Sequence, residues 1–113
     1  MRKICVFTGS RADYGHLRWV MQEIQDDPNL TLNNLVSGAH LLPSRGETWR
    51  EIELDGFNID TKIPMDFKNN SNLGTAISVG QTIQVLSRAL KETSPDILVI
   101  LGDRYEAFAA ATS

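Results

Sequence analysis

Two short stretches hold residues that could act together on one ligand. In Thr8-Gly9-Ser10-Arg11-Ala12-Asp13-Tyr14 a glycine turn leaves an apolar run and enters a helical pattern, carrying a cation at Arg11 and a carboxylate at Asp13. In Gly102-Asp103-Arg104-Tyr105-Glu106 a second glycine turn leaves a second apolar run and carries Asp103 and Arg104. Guanidinium forks and the free N–H groups of a helix start both suit spread anionic oxygens, so these turns fit phosphate or a diphosphate. A carboxylate beside them could move a proton, a role worth roughly 10²–10⁴ in rate when correctly placed. His40, in Gly38-Ala39-His40-Leu41-Leu42-Pro43, is the third candidate.

Each of these residues also has a structural reading. Asp13, directly before the expected helix, fits an N-cap as well as a ligand contact. Asp103 and Glu106 stand at capping-box spacing, and Glu106 is read as structural. Arg11 is read as a ligand contact, because a short turn at a strand end rarely needs a guanidinium for stability, and Arg104 follows the same logic. The position of His40 alone fits an ordinary loop histidine. Cys5 sits inside a strand pattern and is read as a packing residue. The two histidines, His16 and His40, and the single cysteine form no metal-ligand spacing, and Gly9 to Gly15 does not match GxGxxG.

The elements that must hold these turns alternate between strand and helix periods, which predicts an α/β fold. Lys3 to Phe7 reads as a buried strand. A helix over Tyr14–Gln25 places Leu17, Val20, Met21 and Ile24 on one stripe, with Trp19 off it, and Asp26-Asp27-Pro28-Asn29 ends it. Leu30–Ser37 reads as a second strand, although Asn33-Asn34 interrupts its apolar run. Gly46–Leu54 reads as a short helix burying Trp49 and Ile52, closed by Asp55-Gly56. Ile59, Thr61 and Ile63 alternate as a strand at a sheet edge, ended by Pro64, and Asp66–Asn72 is a polar loop. Gly74–Glu92 is the longest expected helix, with Val79, Ile83, Leu86 and Leu90 on its inner face. Ile97–Leu101 is an unbroken apolar run of the kind found in central parallel strands. Right-handed crossovers favour the doubly wound order 3-2-1-4. In that order the first and fourth strands are neighbours and their exits flank a crevice. Arg11 and Asp13 are expected to face Asp103 and Arg104 there, with His40 one strand further along the rim.

Bulk properties restrict the partners. The 113 residues fit one modest domain, able to bury about 65–70% of the unfolded surface. Eleven Lys plus Arg against fourteen Asp plus Glu give a net charge of −3, so no basic field points to nucleic acid or an anionic membrane. The first apolar run is too short for a signal sequence or a membrane span. One cysteine excludes an internal disulfide framework and fits a reducing, cytoplasmic compartment.

Taken together, Gly9-Ser10-Arg11-Ala12-Asp13-Tyr14-Gly15, Gly38-Ala39-His40-Leu41 and Gly102-Asp103-Arg104 resemble the hydrolysing UDP-N-acetylglucosamine 2-epimerases. The likeness is nearest to the bacterial sialic acid and legionaminic acid pathway enzymes and to the epimerase half of the animal bifunctional enzyme. It runs from residue 1 through the whole chain and keeps the order and spacing of all three loops. The non-hydrolysing relatives carry Arg-Pro-Glu where this chain has Arg11-Ala12-Asp13, which favours the hydrolysing branch. Two departures are Leu101, where some relatives place a histidine, and Gly15, where the animal enzyme has a serine.

The resemblance implies two Rossmann-like domains facing across a cleft, the glycosyltransferase B arrangement, of which this chain matches the first part of the N-terminal domain. Residues 1–113 would be that partial domain, and the C-terminal domain with most uridine and diphosphate contacts would lie outside it. The implied reaction is anti elimination of UDP and the C2 proton to a 2-acetamidoglucal, followed by hydration to N-acetylmannosamine, with no redox cofactor or metal. Arg11 and Arg104 would contact the nucleotide with Asp13 beside them, Asp103 would be the acid/base or charge-stabilising carboxylate, and His40 would lie near the substrate. The partner would be a UDP-sugar, and the full-length protein would be a homo-oligomer. UDP-N,N'-diacetylbacillosamine is an alternative substrate. Further catalytic carboxylates would lie beyond Ser113, so this segment alone is expected to be inactive and to leave apolar surface beside the fourth strand. A non-catalytic nucleotide-sugar binding module is a second class. A receiver-like signalling domain ranks low, because Arg11 stands where it needs an acidic pair and the third strand ends at Pro64.

Overall fold

The computed structural model describes residues 2–37, 47–63 and 72–101, together with Ala110 and Thr112. Its elements are β1 (Arg2–Thr8), α1 (Arg11–Asp26), β2 (Leu30–Ser37), α2 (Trp49–Leu54), β3 (Thr61–Ile63), α3 (Asn72–Thr93) and β4 (Ile97–Val99). The strands form one parallel sheet in the order β3-β2-β1-β4, the doubly wound order expected from the alternation. Ile4 pairs with Leu32 on one side and Ile97 on the other, so β1 is central. The pleat of β1 sends Ile4 and Val6 to one core cluster and Cys5 and Phe7 to another, which defines the two covered faces.

α1 and α2 cover the first face. Tyr14, Leu17, Met21 and Ile24 are the buried residues of α1, and Ile52 and Phe57 join them on Ile4, Val6 and Val36. Here the expected stripe is corrected. Val20 is 44% exposed, and the buried place goes to Tyr14. The reason is that the ring packs edge-on to Phe57, with centroids 6.3 Å apart, while its hydroxyl finds an acceptor on Asp55. An aromatic with a partnered polar tip is therefore an inner residue here. Trp19 lies outside, 66% exposed, as its position off the stripe implies.

The start of α1 is also earlier than expected. Ser10 is extended (φ −155°, ψ 165°), and its Oγ accepts from the Asp13 N–H at 3.3 Å, so the helix begins at Arg11 rather than Tyr14. β2 keeps the expected boundaries despite Asn33-Asn34. Asn34 is buried, its Nδ2 donates to the Asn58 carbonyl at 2.8 Å, and its backbone N–H donates to Asp60 Oδ2 at 2.7 Å. The polar residue thus ties β2 to the segment entering β3. That segment follows Gly56, whose φ of +93° favours glycine, as the Asp55-Gly56 turn required. Among the described residues β3 pairs only with β2 and forms one edge of the sheet.

α3 covers the second face by a different means. Its buried residues are Gly74, Ser78, Thr82, Leu86 and Ala89, whereas Val79, Ile83 and Leu90 are only partly buried against the cluster. Its inner face is therefore mostly small, and the Thr82 hydroxyl donates to the Ser78 carbonyl at 2.8 Å. Asp96 then registers β4. Its Oδ2 accepts from the Lys3 N–H at 2.7 Å, its own N–H donates to the Lys3 carbonyl at 2.8 Å, and Lys3 Nζ reaches the Thr93 carbonyl. β4 is shorter than the apolar run that encodes it and, among the described residues, pairs only with β1. Ile97 and Leu101 are 44% and 36% exposed, in line with the expected apolar surface beside this strand.

Candidate functional site

The parallel strands all exit at the same end of the sheet, so Thr8, Ser37, Ile63 and Val99 mark one rim. The chain leaves β1 toward the first face through α1. Beyond β4, Ala110 is fully buried with Cys5 and Phe7 on the second face. β1 and β4 are neighbours, with α1 on the first face and Ala110 on the second, and a reversal of winding between neighbouring strands is where such sheets bind ligands.

The β1–α1 turn forms one lip of this crevice. Thr8 is fully buried, and its Oγ1 donates to the Ser10 carbonyl at 3.3 Å, which fixes the turn between strand and helix. Ser10 caps α1, so the N-cap reading of Asp13 is corrected: Asp13 lies within the first helical turn and supplies the backbone N–H that Ser10 accepts. A carboxylate there is favoured by the positive end of the helix dipole. The positions Ser10 and Asp13, three residues apart, carried the signal for this helix start.

Arg11 occupies the first helical position. Its Nε lies 2.8 Å from Glu51 Oε2 in α2, and its guanidinium carbon is 5.9 Å from the centre of the Tyr14 ring. Both charged side chains are about half exposed, at 52% and 41%. An acidic partner for Arg11 is a structural finding that no local spacing signals, since Glu51 reaches it from a separate helix. The same two helices are joined a turn further on, where Asp55 accepts from the Tyr14 hydroxyl and lies 3.6 Å from Arg18. Burial and the Asp55 carboxylate push the Tyr14 phenol well above its usual value near 10.

The remaining predicted site residues, His40, Asp103 and Arg104, lie outside the described residues, as do Glu106 and residues 66–71 of the polar loop. Asn72 of that loop is the first residue of α3. Cys5 is fully buried, and burial together with the Asp60 charge pushes its thiol up to about 11, which makes it an inert packing group. Among the described residues there is no group of three or more His, Cys, Asp and Glu able to hold a metal ion. Nor is any described helix long and apolar enough to cross a membrane.

Two open grooves lie along α2. One, of about 640 Å³, is lined by Glu53, Gly56, Phe57, Asn58, Ile59 and Asp60, where the chain enters β3. The other, of about 470 Å³, is lined by Trp49, Arg50, Glu53 and Leu54.

Comparison with known proteins agrees with this geometry. The family model described as UDP-N-acetylglucosamine 2-epimerase matches residues 22–113. The chain is 40% identical over 111 residues to the GDP/UDP-N,N'-diacetylbacillosamine 2-epimerase (hydrolyzing) of Campylobacter jejuni, covering 98% of this chain and 29% of that protein. It is 33% identical over the same length to the UDP-N-acetylglucosamine 2-epimerase of Neisseria meningitidis, again covering 98% of this chain and 29% of that protein. Among solved structures, the UDP-GlcNAc 2-epimerase from Neisseria meningitidis bound to UDP-GlcNAc superposes with a TM-score of 0.75 at 22% identity, over 99% of this chain and 28% of that one. The chain thus spans less than a third of the length of these relatives and carries the N-terminal portion of their glycosyltransferase B type fold. On the family match and the identities together, the chain belongs to the UDP-N-acetylglucosamine 2-epimerase family.

Proposed function

We propose that this chain supplies one wall of the active site of a hydrolysing UDP-sugar 2-epimerase. The reading rests on one observation: in a chain of this family, a Ser10-capped helix begins at the exit of β1, beside β4, with Arg11 and Asp13 in its first turn. The C2 proton of the sugar has no adjacent carbonyl and is a poor acid, so elimination of UDP needs cations on the departing diphosphate and a well-placed base. Arg11 takes the first task together with Arg104, with Asp13 beside them. Asp103 serves as the acid/base or charge-stabilising carboxylate, and His40 lies near the sugar. Water then adds to the 2-acetamidoglucal, and the products are UDP and the 2-epimeric free sugar. Most uridine contacts and further carboxylates come from outside this segment, in a second Rossmann-like domain, so residues 1–113 alone turn over no substrate. A cytoplasmic setting fits the buried free thiol of Cys5.

UDP-N-acetylglucosamine is the first substrate, giving N-acetylmannosamine. UDP-N,N'-diacetylbacillosamine is the second reading, favoured by the higher identity to the Campylobacter jejuni relative, 40% against 33%. Incubating the full-length protein with each sugar nucleotide in deuterated water separates them. Release of UDP with deuterium at C2 of the product identifies the substrate and the elimination route. Saturable binding of both without UDP release would replace the enzyme by a binding module.

A further inference from the structure

We propose that Glu51 withdraws Arg11 from the crevice and competes for its guanidinium with the diphosphate of the ligand. The proposal rests on the reading of Arg11 as a nucleotide contact and adds a residue, Glu51, that the sequence motifs do not mark.

Three contacts locate the withdrawn position. Arg11 Nε is 2.8 Å from Glu51 Oε2. The guanidinium stands beside the Tyr14 ring. Its Nη1 lies 2.9 Å from the ideal position of a Cβ on residue 15, so the side chain lies over the bare backbone of Gly15. Tyr14 and Gly15 are three and four residues further along α1, that is, one turn away from the helix start. Helical side chains normally lean the other way, toward the N-terminus, because the Cα–Cβ bond tilts that way. Arg11 instead folds down the helix, away from the N–H groups that face the crevice. An exposed ion pair adds little stability, so the main consequence of the Glu51 contact is where it puts the guanidinium. Gly15 makes this berth possible, since any Cβ there requires Nη1 to move.

The consequence for binding has a definite sign. A diphosphate that recruits Arg11 must first break its pair with Glu51, so removing the carboxylate tightens binding. The value of an exposed pair sets the scale at roughly two- to fivefold in Kd.

The test is calorimetric titration of UDP into the full-length protein and its Glu51→Gln, Glu51→Ala, Gly15→Ala and Arg11→Ala variants. Glu51→Gln, Glu51→Ala and Gly15→Ala are expected to bind UDP two- to fivefold more tightly, the Glu51 variants with little change in Tm. Glu51→Asp, which keeps the charge, is expected to stay near the parent. In an Arg11→Ala background the Glu51 and Gly15 effects are expected to vanish, while Arg11→Ala alone weakens binding. Weaker or unchanged binding in both Glu51→Gln and Glu51→Ala, with Arg11→Ala still harmful, overturns the proposal and leaves the nucleotide role of Arg11 intact. Unchanged binding in Arg11→Ala removes that nucleotide role, and the competition with it.

Discussion

On one face of the sheet α1 and α2 bring Tyr14, Leu17, Met21, Ile52 and Phe57 onto Ile4, Val6 and Val36, whereas on the other α3 brings Gly74, Ser78, Thr82 and Ala89, with Leu86 its largest buried side chain. The first face is filled by volume, and its helices are joined at their exposed margin by Arg11–Glu51, Arg18–Asp55 and Tyr14–Asp55. The second is lined by small side chains from α3, with Val79, Ile83 and Leu90 partly buried around them. The difference matters for the site because its lip, the β1–α1 turn, belongs to the first face. There the side chains at the margin can move while the core beneath stays packed.

Deleting and adding volume should therefore hurt opposite faces. Met21 is fully buried, and Met21→Ala is expected to cost about 2–5 kcal/mol by leaving a cavity under α1. Ser78, 7% exposed, is expected to fail in the other direction: Ser78→Leu forces α3 off the sheet at a cost of about 1–3 kcal/mol. Urea unfolding of both variants checks the contrast. A neutral Ser78→Leu would mean that α3 stands further from the strands than its small residues imply.

Each face also holds one group that titrates late, and the two can be separated by pH. Cys5 belongs to the second face, and its thiol is raised from 9.0 to about 11 by burial. Because the folded pKa is raised, the native state holds the proton longer than the unfolded chain. The stabilisation is then complete below pH 9 and is lost as pH rises to 11. The shift corresponds to about 2–3 kcal/mol, a fall in stability of up to ~1.4 kcal/mol per pH unit. Tyr14, on the first face, is raised in the same sense, so its loss begins only above about pH 10. Stability measured between pH 9 and 10 is expected to fall in the parent and to stay flat in Cys5→Ala. Above pH 10 Cys5→Ala should fall too, until Tyr14→Phe is added. A Cys5→Ala variant as steep as the parent between pH 9 and 10 would place the titration elsewhere.

The sequence reading and the structure part along the same line. The strand order, the limits of β2 and the edge place of β3 follow from apolar runs and turn residues, which are local and additive. Hydropathy puts Val79, Ile83, Leu86 and Leu90 on the inner face of α3, because it counts apolar volume and is blind to buried glycine, serine and threonine. Tyr14 was passed over for Val20 because its polar tip hides an inner residue until Asp55 is seen beside it. In the candidate site, the passage from β1 through a glycine turn into a helix is legible in the sequence, but the cap is Ser10 and not Asp13, because the two residues share the side-chain chemistry of a cap and only the backbone tells them apart. Glu51 is not legible there, because two helices separated by β2 must pack before it meets Arg11.

The smallest effect offers the finest comparison, since each face carries a glycine within an exposed stretch of helix. Gly80 in α3 has open space where a Cβ would go, so Gly80→Ala is expected to gain the full helix propensity of about 1 kcal/mol. Gly15 in α1 has Arg11 Nη1 there, 2.9 Å away. Gly15→Ala gains the same propensity but displaces the guanidinium and forfeits the exposed Arg11–Glu51 pair, about 0.2–1 kcal/mol. The gain at residue 15 should therefore fall short of that at residue 80 by this amount. In a Glu51→Gln background the pair is already lost, so the shortfall should disappear and both substitutions should stabilise equally. A double-mutant cycle on urea midpoints measures the difference directly. Equal gains at the two glycines in the parent would mean that the Arg11–Glu51 pair contributes nothing to stability, and the competition of Glu51 with a diphosphate would vanish with it.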